Sequence, residues 1–190
     1  MSSEKDANIK KKDRRRAYLN DFQKDENGTY VYRGAVYDYT GEKASLLSVK
    51  LRLGALGIVM LLSLVFAGLI QTPGMDHSVY ILLPYAAGLC GSVSVCWALL
   101  RLGISKPPLR EYVYQETVLK LPGRAVFTAC CSVIALIGEP VYLLWHRPDV
   151  TGTASVLFPI LEGIALAAAL LVRACVLQMK WHIHKETAAK

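Results

Sequence analysis

Residues 53–70 read LGALGIVMLLSLVFAGLI, without one charged side chain. A helical residue advances about 1.5 Å, so about 20 apolar residues cross a hydrocarbon core about 30 Å thick. Three more stretches have this character: 78–100, 125–145 and 151–172. Because a helix satisfies its own backbone hydrogen bonds in lipid, the sequence predicts an all-α membrane protein with four transmembrane helices.

The connections between these stretches differ in length and charge. Residues 71–77 and 146–150 are short and contain turn residues, which predicts two antiparallel helical hairpins joined by the longer loop 101–124. Of 22 Lys and Arg residues, all but Arg147 lie in that loop and the two tails. Because Lys and Arg concentrate on the cytoplasmic side, we expect the middle loop and both termini in the cytoplasm. The expected location is a plasma membrane, with a bacterial inner membrane as host.

The composition excludes several classes of protein. The 190-residue chain is 53% hydrophobic and 19% charged, with a net charge of +7 and a mean hydropathy of +0.32. A chain this apolar is neither an ordinary soluble domain nor disordered. The five Cys form no Cys-x-x-Cys, and no His-Glu-x-x-His, Gly-x-Ser-x-Gly, Walker or Gly-x-Gly-x-x-Gly pattern occurs. We therefore expect no metal, no cofactor and no enzymatic activity.

The tail before the first helix begins with a basic segment. Residues 1–26 are polar and basic, which predicts a disordered cytoplasmic tail. Its basic cluster gains about 1 kcal/mol per Lys or Arg beside anionic lipid headgroups; a merely solvated tail is the alternative. We expect no nucleic-acid binding, because no nucleic-acid-binding fold accompanies the cluster. The cluster consists of Lys10, Lys11, Lys12, Arg14, Arg15 and Arg16.

Residues 27–52 form a Tyr-rich juxtamembrane segment. Tyr and Val favour strands, and Arg33-Gly34 suits a two-residue turn that pairs Tyr32 with Ala35 in a small β-hairpin. A Tyr-rich coil is the alternative, because an isolated hairpin is marginal in water. In the hairpin, four tyrosines share one face, a candidate docking face for headgroups, for the middle loop or for another protein. They are Tyr30, Tyr32, Tyr37 and Tyr39.

The remaining segments outside the apolar stretches are the middle loop and the C-terminus. Residues 109–121, LREYVYQETVLKL, suit a short interfacial helix. The Tyr-Val-Tyr at 112–114 equally suits a strand that pairs with the N-terminal tail. Residues 173–190 are expected to form a cytoplasmic C-terminal tail, which leaves residues 53–172 as the transmembrane domain.

Small residues recur at helix-contact spacing inside the apolar stretches. Ala87 and Gly91 are four residues apart in the second stretch, and Gly163 and Ala167 in the fourth. This spacing lets helix backbones approach closely in a membrane. We therefore expect close helix contacts at both places.

Two carboxylates lie inside the apolar stretches. On the rise of a helix, Glu139 is about 9 Å from the outer end of its stretch and Glu162 about 16 Å deep. Ionisable residues inside a membrane are rare and costly, so they are functional candidates by default. Three roles are open: hydrogen bonding between helices, a proton or cation site formed by both carboxylates, and contact with a cation of a partner subunit.

The sequence favours a small accessory or interaction component of a membrane complex. A basic, Tyr-rich tail and small-residue helix faces occur without any catalytic group. The expected partners are the lipid bilayer with its anionic headgroups, and either a second membrane protein or further copies of the chain. The alternative is a compact transporter coupled to a proton or cation through Glu139 and Glu162. Four helices rarely enclose a pathway alone, so this alternative requires an oligomer.

Overall fold

The computed structural model describes residues 22–24, 28, 30–32, 34–41, 43–146 and 152–185. Most of them are helical. The helices are α1 (Lys43–Gly68), α2 (Pro73–His77), α3 (Val79–Ile104), α4 (Glu111–Tyr114), α5 (Leu121–His146) and α6 (Ala154–Leu177), with a π-helical turn at Gln115–Leu119. The strands are β1 (Phe22–Lys24), β2 (Tyr30–Tyr32), β3 (Ala35–Tyr39), β4 (Leu109–Arg110) and β5 (Trp181–Lys185).

Four helices, α1, α3, α5 and α6, are long and apolar enough to cross a membrane, as predicted. They extend beyond the apolar stretches of the sequence. Helix α1 begins ten residues before Leu53, and α6 continues five residues beyond Val172. Arg52 and Arg173 border an apolar stretch without ending a helix, because Lys and Arg are good helix formers.

The four long helices pack in a closed ring in chain order, and α6 closes the ring against α1. Near one end of α1 and α3, Lys50 Nζ donates to Ser105 O at 2.6 Å. Towards the other end, Tyr85 Oη donates to Leu64 O at 2.8 Å, so these two helices run in opposite directions. The core inside the ring is apolar and fully buried; it includes Leu53, Met60, Leu64, Val95, Phe158 and Val172.

Glycine allows close helix approach at one of the two predicted places. Gly88 and Gly91 on α3 are buried, and a Cβ on Gly91 would lie 2.6 Å from Thr128 Oγ1 on α5. Gly163 on α6 differs, because a Cβ there would meet no atom within 4 Å. Within this chain the expected close contact at Gly163 does not form, because this residue faces open space and not a neighbouring helix.

Three distant parts of the chain meet in one antiparallel sheet. The strand order is β4–β3–β5, and β3 pairs with β5 over five positions, from Ala35 opposite Lys185 to Tyr39 opposite Trp181. The N-terminal segment, the middle loop and the C-terminal tail thus supply one strand each. Because the three segments share one sheet, they lie at the same end of the helix ring. We call this sheet the end sheet.

The predicted pairing of Tyr32 with Ala35 across Arg33-Gly34 is wrong. Strand β2 pairs with β1, with Tyr32 opposite Phe22, and β3 belongs to the end sheet. A hairpin of β2 with β3 would give β3 one neighbour, whereas the end sheet gives it hydrogen-bonded neighbours on both edges. Unpaired backbone groups are costly, so the central position in a sheet is the more stable one for β3.

The middle loop combines the two structures that its sequence left open. Leu109–Arg110 forms a strand beside the N-terminal segment, and a helical segment follows from Glu111 to Leu119. The second Tyr-Val-Tyr is therefore helical. Leu109 and Val113 are buried in the same core as the long helices, so this segment packs on protein.

Part of the predicted disordered tail has structure. Phe22–Lys24 lie inside the segment 1–26 and form β1, paired with the strand-favouring Tyr-Val-Tyr of β2. Residues 1–21, and with them the basic cluster at 10–16, lie outside the described residues. The prediction for the basic cluster remains a prediction.

Candidate functional site

Glu162 lies at the centre of the helix ring. It is fully buried on α6, and its polar neighbours come from two other helices: Tyr85 of α3, and Cys131 and Ser132 of α5. Neither carboxylate oxygen completes a hydrogen bond, and the Ser132 hydroxyl beside it is also without a partner. The ion pairs among the described residues join Glu116 to Lys120 and Arg124 and do not involve Glu162.

Tyr85 forms one wall beside Glu162. Its hydroxyl is held by the hydrogen bond to Leu64 O, and its ring centroid lies 6.1 Å from that of Phe158, one turn before Glu162 on α6. Gly68 on α1 makes room for this tyrosine, because a Cβ there would overlap the Tyr85 hydroxyl. Three helices thus fix the position of one side chain next to the central carboxylate.

Glu139 has different surroundings. It is fully buried on α5, and its carboxylate packs against Gly74 of α2, where a Cβ would overlap Oε2. Thr72, also fully buried, caps α2 by accepting a hydrogen bond from Met75 N at 3.3 Å. The Thr72 hydroxyl and the Gly74 backbone are the polar groups next to the Glu139 carboxylate. Neither carboxylate oxygen reaches full hydrogen-bonding geometry with them.

The two carboxylates do not share a hydrogen bond. Ser132, which faces Glu162, precedes Glu139 by seven residues on α5, which is about 10 Å along a helix. Glu139 lies against the connection between α1 and α3, whereas Glu162 lies among the long helices. Each carboxylate therefore has its own neighbours, and the joint site of Glu139 and Glu162 stays a prediction.

Two of the four docking-face tyrosines pack inside the end sheet. The ring of Tyr37 stacks on Tyr114 with centroids 3.9 Å apart and an interplanar angle of 5°. Tyr39 meets Trp181 edge-on at 5.5 Å, and Trp181 also meets Tyr114 at 5.8 Å. Burial, and secondarily Glu111 and Tyr114, raises the pKa of Tyr37, so this phenol stays neutral at physiological pH.

Tyr30 makes none of the ring contacts of that aromatic cluster. The side chain of Tyr30 is 67% exposed, and the side chain of Tyr32 lies outside the described residues. The single face expected from the hairpin is thus divided, since β2 and β3 belong to different sheets. Tyr37 and Tyr39 meet the middle loop and the C-terminal tail of their own chain.

Sequence reasoning missed several residues of these sites. Trp181 has a visible signal: WHIHK at 181–185 alternates apolar and polar residues with the period of a strand. Tyr85 and Ser132 have no such signal in the sequence, because both lie in helices that are apolar on all sides. Thr72-Pro73 has the N-cap and first-turn pattern of a helix start, which locates the short helix beside Glu139.

Among the described residues, no group of three or more His, Cys, Asp and Glu side chains is placed to hold a metal ion. The five Cys are all free thiols. Comparison with family models, curated proteins and solved structures finds no match for this chain. The fold and the two buried carboxylates are therefore the features that bear on function.

Proposed function

We propose that the chain is a four-pass membrane protein with the end sheet in the cytoplasm. The outward surfaces of the long helices support this location, because they carry many large apolar side chains: Tyr80 is 86% exposed, Trp145 83% and Trp97 67%. A soluble protein rarely exposes so much apolar surface. The end sheet supports the direction, since the three segments that it joins contain 21 of the 22 Lys and Arg residues.

Cysteine labelling in intact cells tests this topology. In a background without the five native Cys, His77→Cys in the connection after α1 is expected to react with a membrane-impermeant maleimide. Lys106→Cys, after α3 and also exposed, is expected to react only after the cells are lysed. Labelling of Lys106→Cys in intact cells would reverse the orientation, and labelling of both would contradict the membrane insertion itself.

We further propose that the protein acts as an accessory or interaction component of a membrane complex. The observation that carries this proposal is the end sheet. The N-terminal segment, the middle loop and the C-terminal tail are separated by pairs of long helices, yet together they form one folded surface outside the helix ring. Strand β5 is an edge of this sheet, with Ile183 60% exposed. Edge strands with exposed side chains are templates for another chain. A catalytic role has less support, because Ser132 and Glu162 are buried and no nucleophile–base pair is formed there.

Photo-crosslinking in living cells tests the interaction. A photoreactive amino acid at Ile183 is expected to give a discrete adduct with a second protein, because the side chain points away from the core. The same amino acid at Tyr80, which is more exposed and lies at the other end of the ring, is the control. Adducts with the same protein from both positions, or adducts only between copies of this chain, would contradict a separate partner at the end sheet.

One observation favours a second candidate function, an oligomeric proton- or cation-coupled transporter. Glu162 and Ser132 are buried polar side chains without hydrogen-bond partners, and native proteins rarely retain such groups without a role. A proton or a small cation that reached Glu162 would satisfy its carboxylate. Glu139 has less support as a coupling residue, because it packs against Gly74.

A further inference from the structure

An apolar groove runs between α1 and α3 towards the end of the ring that carries the end sheet. It has a volume of about 500 Å³. Ile58 and Leu61 line one wall, and Val93 and Trp97 line the other. The groove faces outward, since Trp97 and Ile58 are 67% and 59% exposed. Its apolar lining suits a hydrocarbon chain.

Glycines make the groove. A Cβ on Gly54 of α1 or on Gly103 of α3 would meet no atom within 4 Å, so both residues border open space. Gly57 lies deeper, where a Cβ would lie 2.7 Å from Leu99 Cδ1 and where Cys96 Sγ donates to the Gly57 carbonyl at 3.2 Å. The groove therefore has a closed floor at Gly57 and open walls above it.

A positive charge lies at the mouth of the groove. Lys50 lines the groove, and its ammonium group uses one of its three N–H donors on Ser105 O. The ion pairs of the described residues do not include Lys50, so its charge is not neutralised by a carboxylate there. The exposed Lys106 follows Ser105 directly. The mouth thus offers the Lys50 ammonium group above an apolar channel.

We propose that this groove binds one anionic phospholipid, with an acyl chain between α1 and α3 and its phosphate on Lys50. The inference rests on the proposed membrane location. With the end sheet in the cytoplasm, the mouth of the groove faces the cytoplasmic leaflet, which carries the anionic lipids. Charge complementarity at Lys50 distinguishes this groove from an apolar surface that any lipid covers equally.

Native mass spectrometry tests the proposal on the full-length protein in mild detergent. The protein is titrated with phosphatidylglycerol or with phosphatidylcholine of the same acyl chains. One phosphatidylglycerol is expected to bind about fivefold more tightly than phosphatidylcholine, the effect of one cation beside an anionic headgroup. Lys50→Gln is expected to remove that preference, because it removes the charge while leaving the groove open.

Substitutions that fill the groove provide a second test of the lipid site. Gly54→Leu and Gly103→Leu are each expected to reduce the binding of both lipids, because they place a side chain where there is open space. Gly163→Leu, at another open glycine on α6, is the matched control and should bind lipid as the wild type does. These changes add helix propensity, so the variants are expected to fold.

Three results would overturn the lipid site. They are equal affinity for the two lipids in the wild type, an unchanged preference in Lys50→Gln, and a dimer that forms through the groove without lipid. Membrane fractionation distinguishes a failure of the lipid-site proposal from a failure of the proposed membrane location. A protein that inserts without the lipid preference contradicts only the lipid site, whereas a protein absent from the membrane contradicts both proposals.

Discussion

Replacing Glu162 with glutamine is expected to leave the helix ring assembled and to raise its free energy of unfolding by about 1–3 kcal/mol at neutral pH. An ionised carboxylate is costly in an apolar interior unless it is paired. Among the described residues no cation pairs with Glu162, and the Ser132 hydroxyl beside it does not reach full hydrogen-bonding geometry. Glutamine has nearly the same shape, carries no charge and brings an amide donor towards the Ser132 hydroxyl. Titration with sodium dodecyl sulfate in mixed micelles, followed by circular dichroism, measures the change.

The same variant separates the three roles of the carboxylate. A proton or cation site predicts normal assembly with loss of whatever activity the cell loses when the protein is deleted. Pairing with a partner's cation predicts normal insertion with loss of the complex, because the partner's buried charge is then stranded at about 3–5 kcal/mol. Hydrogen bonding between helices predicts that complex and activity persist.

Glu139→Gln is the matched comparison for Glu162→Gln. Its carboxylate packs on Gly74 and not among the long helices, so we expect a smaller change in stability. A fall in the stability of Glu162→Gln would contradict the unpaired state of Glu162. Wild-type complex and activity in both variants would remove the transporter as a candidate function.

Gly68→Ala is expected to lower the free energy of unfolding by about 1–3 kcal/mol, the usual effect of overpacking a closely packed interior. The added Cβ would overlap the Tyr85 hydroxyl, so either the tyrosine moves away from Leu64 or α1 shifts. In a Tyr85→Phe background the overlapping oxygen is absent, and the ring carbon that bore it lies 3.0 Å from the new Cβ. The same substitution should therefore cost much less there.

A double-mutant cycle with Gly68→Ala and Tyr85→Phe measures this coupling by the same detergent titration. Tyr85→Phe alone removes one buried hydrogen bond and should cost about 1 kcal/mol. Gly163→Ala is the control, since its Cβ meets no atom within 4 Å. Equal costs of Gly68→Ala in the two backgrounds would contradict the contact between α1 and Tyr85.

The long helices are predictable from the sequence because the thickness of a bilayer fixes the length of an apolar stretch. The neighbours of Glu162 are not, because a helix that is apolar on all sides does not indicate which face turns inward. Gly163 illustrates this: its spacing to Ala167 is that of a contact, yet its face is open. Periodicity of a polar face, which would fix the rotation, is absent from α6.

The strands show a different limit. The strand-forming character of Tyr30–Tyr32 and of 35–39 is visible from Tyr and Val, but the choice of partner is not. Strand β3 pairs with residues more than 70 positions away at Leu109 and more than 140 away at Trp181. The turn residues Arg33-Gly34 favour pairing of β3 with the adjacent β2. Pairing of β3 with β4 on one edge and β5 on the other outweighs that preference.

Because its three strands come from distant segments of the chain, the end sheet can be completed only in a fixed order during synthesis. Its central strand leaves the ribosome first, β4 follows, and β5 comes after all four long helices. At about 5–20 residues per second, β3 waits on the order of 7–30 s for its second neighbour. During that interval its open edge is available to chaperones or to the partner strand of another protein. Closure of the sheet by β5 then marks a chain whose four helices have all been made.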